Sequence, residues 1–211
     1  MKTLFLAVLV CAGLPAGTAR AQSNCLDLGP AKGFNVFLAG DFIGTSCDVE
    51  GSLAAGGNVN ITSYSVGALL PSPATALIAG QDFVLNSSWV SGDIWYGRNA
   101  SYPYYPTSGS VYQGHPIGFQ QAFTTLRSTS QTLARLTASG VTTPQWGGLY
   151  FTAADPVLNV FQVDASVIAN SWGIVLRVPS TSLVVVNVSG ASGQFVNMGF
   201  DLGDLPRTSS L

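Results

Sequence analysis

The chain has 211 residues, only 9% of them charged, and a formal net charge of −2 at neutral pH. So sparse and slightly acidic a balance argues against nucleic acid and anionic membrane surfaces as partners. No stretch of roughly 18 or more apolar residues is present, so no transmembrane segment is expected.

In chain order, the first element is a leader. Lys2 gives a positive start, Leu4 to Leu14 form an apolar run, and Ala19-Arg20-Ala21 is a small-x-small cleavage signal. Residues 1–21 therefore read as a secretory signal peptide, with Gln22 first in a mature secreted or cell-surface protein. Loss of Lys2 and Arg20 leaves six basic residues against ten acidic ones, a net charge of about −4. Cys11 departs with the leader. Cys25 and Cys47 remain, and in an oxidising compartment they are expected to form a disulfide. In the chain-entropy picture a loop of that length contributes roughly 3 kcal/mol.

From residue 48 the chain alternates. Val49, Gly51, Leu53, Ala55, Gly57, Val59 and Ile61 share one parity, and mostly polar residues occupy the other. The pattern apolar-x-small-Gly-x-Asn/Asp-apolar recurs as Leu53 to Val59, Leu77 to Phe83 and Ile94 to Asn99, with a shortened earlier copy at Phe37 to Phe42. Successive offsets are 16, 24 and 17 residues. Short strands returning with glycine at a fixed phase predict a mainly β fold, a right-handed β-helix (β-solenoid). Its dry parity faces the interior, and Gly or Asn takes left-handed backbone at the corners. An antiparallel sandwich also uses short strands and glycine turns; the constant glycine phase favours the solenoid.

Residues 101–116 break the pattern and read as a loop. From about 117 to 139 the period becomes helical, with Phe119, Phe123, Leu126, Ser130, Leu133 and Thr137 on one stripe. Pro116 suits the entry and Gly140 the exit. This predicts one amphipathic α-helix packed along the solenoid flank, an insertion within a single domain over residues 22–211. Strand pattern resumes from Gly148. The final stretch begins another pass without a capping element, so a C-terminally truncated domain is expected.

The stretch Phe34 to Phe42, followed by Cys47 to Asn58, resembles the opening of the choice-of-anchor A domain family, with its FNVFVxGDF-like strand and following A-A-G-G-N turn. The likeness extends diffusely over residues 31–200. Ser52 stands where that family has a basic residue, and Cys47 where it has a small polar one. The resemblance implies an extracellular, surface-associated module described as adhesive, similar in layout to ice-binding β-solenoids with a flanking helix. It brings no catalytic residues.

Three groups of residues are candidates for chemistry. Asp41, Asp48 and Glu50 lie near the opening repeat; they can be turn residues bonding backbone amides, calcium ligands, or paired carboxylates for glycan hydrolysis. Beyond that calcium ion no cofactor is implied. His115 is the single histidine, so neither a transition-metal site nor a Ser-His-Asp arrangement is expected. Trp95, Tyr102, Tyr104, Tyr105 and Tyr112 crowd one short region and suit a ligand-contact surface or a lid on the helix flank. Sequons at Asn60, Asn86, Asn99 and Asn187 are candidate N-glycosylation sites in a eukaryotic host. The function expected is therefore a non-catalytic module that binds an extracellular glycan, a protein or its own kind. Ice binding is the alternative, and a cell-wall polysaccharide enzyme a weaker one.

Overall fold

A computed structural model of the chain describes the backbone of residues 7–10 and residues 27–103 and 106–205. These fall into two compact units, residues 28–126 and residues 127–205, with β1 (Ala7–Val10) belonging to the second. The division falls inside the main helix, between Leu126 and Arg127. Apart from the β1 backbone, the leader expected over residues 1–21 lies outside the described residues, as do Cys25, Tyr104 and Tyr105.

The first unit is built from successive passes of three short strands. One pass runs β2 (Val36–Leu38), β3 (Phe42–Thr45) and β4 (Asp48–Val49). The next runs β5 (Leu53–Ala55), β6 (Val59–Thr62) and β7 (Ser65–Val66). A third comprises β8 (Thr75–Ala79), β9 (Phe83–Asn86) and β10 (Trp89–Val90), followed by β11 (Asp93–Tyr96), β12 (Ala100–Ser101) and β13 (Val111–Gln113). Each strand pairs in parallel with its counterpart one pass away, which gives three sheets ordered β13-β11-β8-β5-β2, β12-β9-β6-β3 and β10-β7-β4. Leu53, Leu77 and Ile94 are direct register partners and fully buried, one above another. Val59 with Phe83, Ile61 with Leu85, and Val66 with Val90 complete the interior. The expected dry parity is thus the buried one.

One register differs from the sequence reading. Leu53 pairs with Val36, not Phe37, so the first copy is full length and offset by 17 residues. Phe37 points the other way and stacks on Phe119 and Phe123 of α1 (Phe119–Ala134), with ring centroids 5.5 and 5.2 Å apart. Its outward neighbours Ala54 and Ile78 are also buried.

The corners differ too. Left-handed backbone occurs at Ser46, Ser63 and Ser87, between the second and third strands of successive passes, and at Gly67 and Gly92. The repeat glycines serve another purpose. A Cβ at Gly80 would lie 2.4 Å from the Gly56 carbonyl oxygen, and one at Gly97 2.2 Å from that of Gly80. Close stacking of backbone, not handedness, requires glycine there.

The helix is shorter than expected at both ends. Arg135 and Leu136 donate their N–H groups three residues back, to Thr132 and Leu133, and the helix tightens and stops. Ser139 and Gly140 then donate to the Val160 carbonyl instead of continuing the helix.

In the second unit, β14 (Val141–Gln145) and β15 (Gly148–Thr152) form an antiparallel hairpin. Then follow β16 (Leu158–Asp164), α2 (Ala165–Ala169), β17 (Gly173–Arg177), β18 (Leu183–Ser189) and β19 (Gly199–Asp201). β15 pairs in parallel with β17, β17 with β19, and β16 with β18, and β1 lies antiparallel along β18. Leu149, Phe151, Phe161, Leu176, Val184 and Val186 form the core between the two sheets.

Candidate surface for adhesion

The sequence motif with the most regular chemistry lies between the first and second strands of each pass. Asp41 Oδ1 accepts the Asn58 backbone N–H at 2.6 Å. Asn58 Oδ1 accepts that of Asp82 at 3.1 Å, and Asp82 Oδ1 accepts both the backbone N–H and the side-chain Nδ2 of Asn99. The recurring Asn/Asp is therefore a ladder in which each side chain caps the next pass. Replacing Asp82 by Ala removes an acceptor used twice and is expected to cost about 1–2 kcal/mol in chemical denaturation. Asp82→Asn keeps the acceptor, as Asn58 does, and should stay close to the parent. Equal losses in both variants would show that the Oδ1 acceptor is not what matters.

This ladder occupies Asp41 as a structural group. Asp48 and Glu50 are exposed and do not join it. Among the described residues no group of three or more His, Cys, Asp or Glu side chains is arranged to hold a metal ion, and Asp41, Asp48 and Glu50 do not come together as such a group. The Asp48 carbonyl instead accepts the Tyr64 hydroxyl at 3.1 Å. Burial pushes that hydroxyl above the ordinary tyrosine pKa, with Cys47 and Asp48 adding to the shift. The Cys47 thiol is exposed, in no disulfide among the described residues, and 4.0 Å from Asp48 Oδ1; Cys25, its expected disulfide partner, lies outside the described residues.

Three residues of the expected aromatic surface, Trp95, Tyr102 and Tyr112, are described. Trp95 and Tyr112 are register partners on the outer side of the first sheet and stack at 4.7 Å and 26°. Tyr102 sits against Phe83, a residue of the second sheet, with centroids 6.3 Å apart. His115 borders a shallow groove of about 630 Å³ beside Gly56, Gly80 and the start of α1.

The second sheet presents the most uniform surface. Its outward residues form two columns, Ile43–Asn60–Val84–Ser101 and Thr45–Thr62–Asn86, each in direct register. Ile43 is 79% exposed, and Asn60, Thr45, Asn86 and Ser101 are exposed as well. None of these residues is charged. Strand spacing of about 4.8 Å makes the face roughly 14 Å across four strands. The signal for it was present in Thr45-Ser46, Thr62-Ser63 and Asn86-Ser87, which recur at the coil offsets: the serine turns the corner and the residue before it faces out.

Two of the four sequons, Asn60 and Asn86, lie on this face. Asn99 is exposed but donates its Nδ2 to Asp82. Asn187 is half-buried and donates its Nδ2 to the Leu133 carbonyl.

A family model described as Putative Ice-binding-like adhesive domain matches residues 27–209. The chain belongs to that family. No curated protein and no solved structure matches it. The ice-binding-like adhesive domain thus accounts for nearly every described residue, and its contact surface has to be sought among the faces above. In this family member, no described helix is long and apolar enough to cross a membrane.

Proposed function

We propose that this chain is a secreted or cell-surface, non-catalytic adhesion module of the choice-of-anchor A kind. In this reading residues 28–126 form a right-handed β-solenoid, the hand that parallel crossovers favour. The outer face of β3-β6-β9-β12 is its contact surface. The observation that carries the reading is the in-register, uncharged pair of columns from Ile43 to Ser101 and from Thr45 to Asn86, exposed except at the half-buried Val84 and Thr62. Such a face offers apolar, hydroxyl and amide groups at a constant repeat, which suits a glycan or protein surface with regular order. It contains no charge whose desolvation would oppose contact.

Ice binding is the second reading. Thr45 and Thr62 are direct partners on this face, and the family description names ice binding. One pair of variants addresses both. Asn60→Lys and Thr62→Lys place long cations on the face while their backbones keep the ladder. Both variants should melt near the parent, and their binding to immobilised matrix proteins and polysaccharides should fall at least about tenfold. Parent-like binding by both would remove the face from consideration. Thermal hysteresis in the parent that both variants abolish would select the ice reading over adhesion.

A further inference from the structure

The β14–β15 hairpin turns through Trp146 and Gly147, whose φ values are +49° and +77°. Two-residue turns with both central residues left-handed strongly prefer Asn-Gly or Asp-Gly. A bulky tryptophan in that conformation is strained. It gains little burial in return, because Trp146 is 77% exposed. Neighbouring groups nevertheless hold it in place. The Trp146 carbonyl accepts the indole N–H of Trp172 at 2.8 Å, and Tyr150 meets the Trp146 ring edge-on at 5.9 Å. Trp172 is itself 52% exposed. Its ring lies over Gly148, where a Cβ would come within 2.7 Å of it.

A hollow of about 380 Å³ opens beside this turn. Gln145, Ser166, Asn170 and Ser171 contribute to its lining with Trp146; none of the described lining residues is charged, and Ser166 Oγ donates to Asp164 Oδ1 behind them at 2.6 Å. Asn170 Nδ2 donates to the Ser166 carbonyl and Ser171 Oγ to that of Ile168. Both side chains are fixed by those bonds, and the Asn170 amide oxygen and Ser171 hydroxyl oxygen keep lone pairs that can accept. The volume lies at the small end of ligand sites, roughly 300–1,000 Å³.

We infer that the hollow beside the Trp146–Gly147 turn binds a neutral saccharide. An exposed indole face complements the C–H face of a pyranose ring, where a rigid aromatic surface loses little entropy. Fixed amide and hydroxyl groups match sugar hydroxyls, and without a cation in the lining there is nothing to hold a uronate or sulfate. The site lies in the second unit, among residues 144–171, and does not rest on the outer sheet face of the first.

The test titrates the whole chain with neutral cello-, manno- and chito-oligosaccharides, read by calorimetry and saturation-transfer NMR. At least one series is expected to bind in the millimolar range. Trp146→Gly suits the left-handed turn, so it should melt no lower than the parent while its affinity falls at least about tenfold. Asn170→Ala should weaken binding without unfolding. The Asn60→Lys and Thr62→Lys variants should bind the saccharide like the parent, which separates this site from the adhesive face. No binding by any neutral series, tighter binding of uronate or sulfated oligomers, or parent-like affinity in Trp146→Gly would each overturn the inference.

Discussion

Leu77→Ala is expected to lower stability by about 2–5 kcal/mol, a fall in Tm of roughly 4–20 °C for a chain of this size. Leu77 is fully buried and stands in register between Leu53 and Ile94, both also fully buried. Truncation removes apolar area and leaves a cavity bounded above and below by neighbouring passes. Those passes are pinned by their own parallel pairing, so the walls have little freedom to collapse. Ile43→Ala is the control. It deletes a comparable aliphatic side chain from another sheet of the same unit, at a position 79% exposed, and should change stability by less than about 0.5 kcal/mol. Thermal and chemical unfolding of the two variants side by side measures the difference. Equal effects would mean that Leu77 does not belong to a shared interior.

That interior was legible in the sequence because its evidence is periodic. Leu53, Leu77 and Ile94 carry the same flanking residues at offsets of 24 and 17, and pleating sends alternate side chains to one side. Misreadings arose where apolar character had two explanations. Phe37 looks like an interior residue, yet it is an outer one covered by Phe119 and Phe123. Hydrophobicity cannot distinguish the core of a stack from an outer face beneath a helix, and the register of the first pass slipped by one residue. β14 carries no sequence signal for the opposite reason: Val141–Gln145 is an exposed edge strand containing Pro144, with no dry parity to see. Asp41 lies near Asp48 and Glu50 in sequence only. Its partner, Asn58, lies one pass further on, where only the register reveals it.

Gly80→Ala and Gly40→Ala should behave in opposite ways, although both glycines carry the same sequence signature of Ala-Gly before a nearby Asp. In the stack they are not equivalent. With Leu53 paired to Val36, the counterpart of Gly56 and Gly80 is Ala39, and Gly40 falls one position later. A Cβ at Gly80 would meet the Gly56 carbonyl oxygen at 2.4 Å, and that atom is backbone between groups bonded to both neighbouring passes, since Gly56 N–H donates to the Leu38 carbonyl and the Ala55 carbonyl accepts Gly80 N–H. The passes must separate locally, lengthening the bond from Gly80 N–H to the Ala55 carbonyl, now 2.7 Å. A loss of about 1–3 kcal/mol follows. At Gly40 nothing lies within 4 Å of the added Cβ, and φ is outside the left-handed region. Alanine there restricts the unfolded chain without disturbing the folded one, so stability should hold or rise by about 0.4–1 kcal/mol. Denaturant midpoints of the two variants decide the matter. If Gly40→Ala lost as much as Gly80→Ala, the glycine phase would reflect turn conformation after all, and the close stacking of Gly56, Gly80 and Gly97 would not be what holds consecutive passes at their spacing.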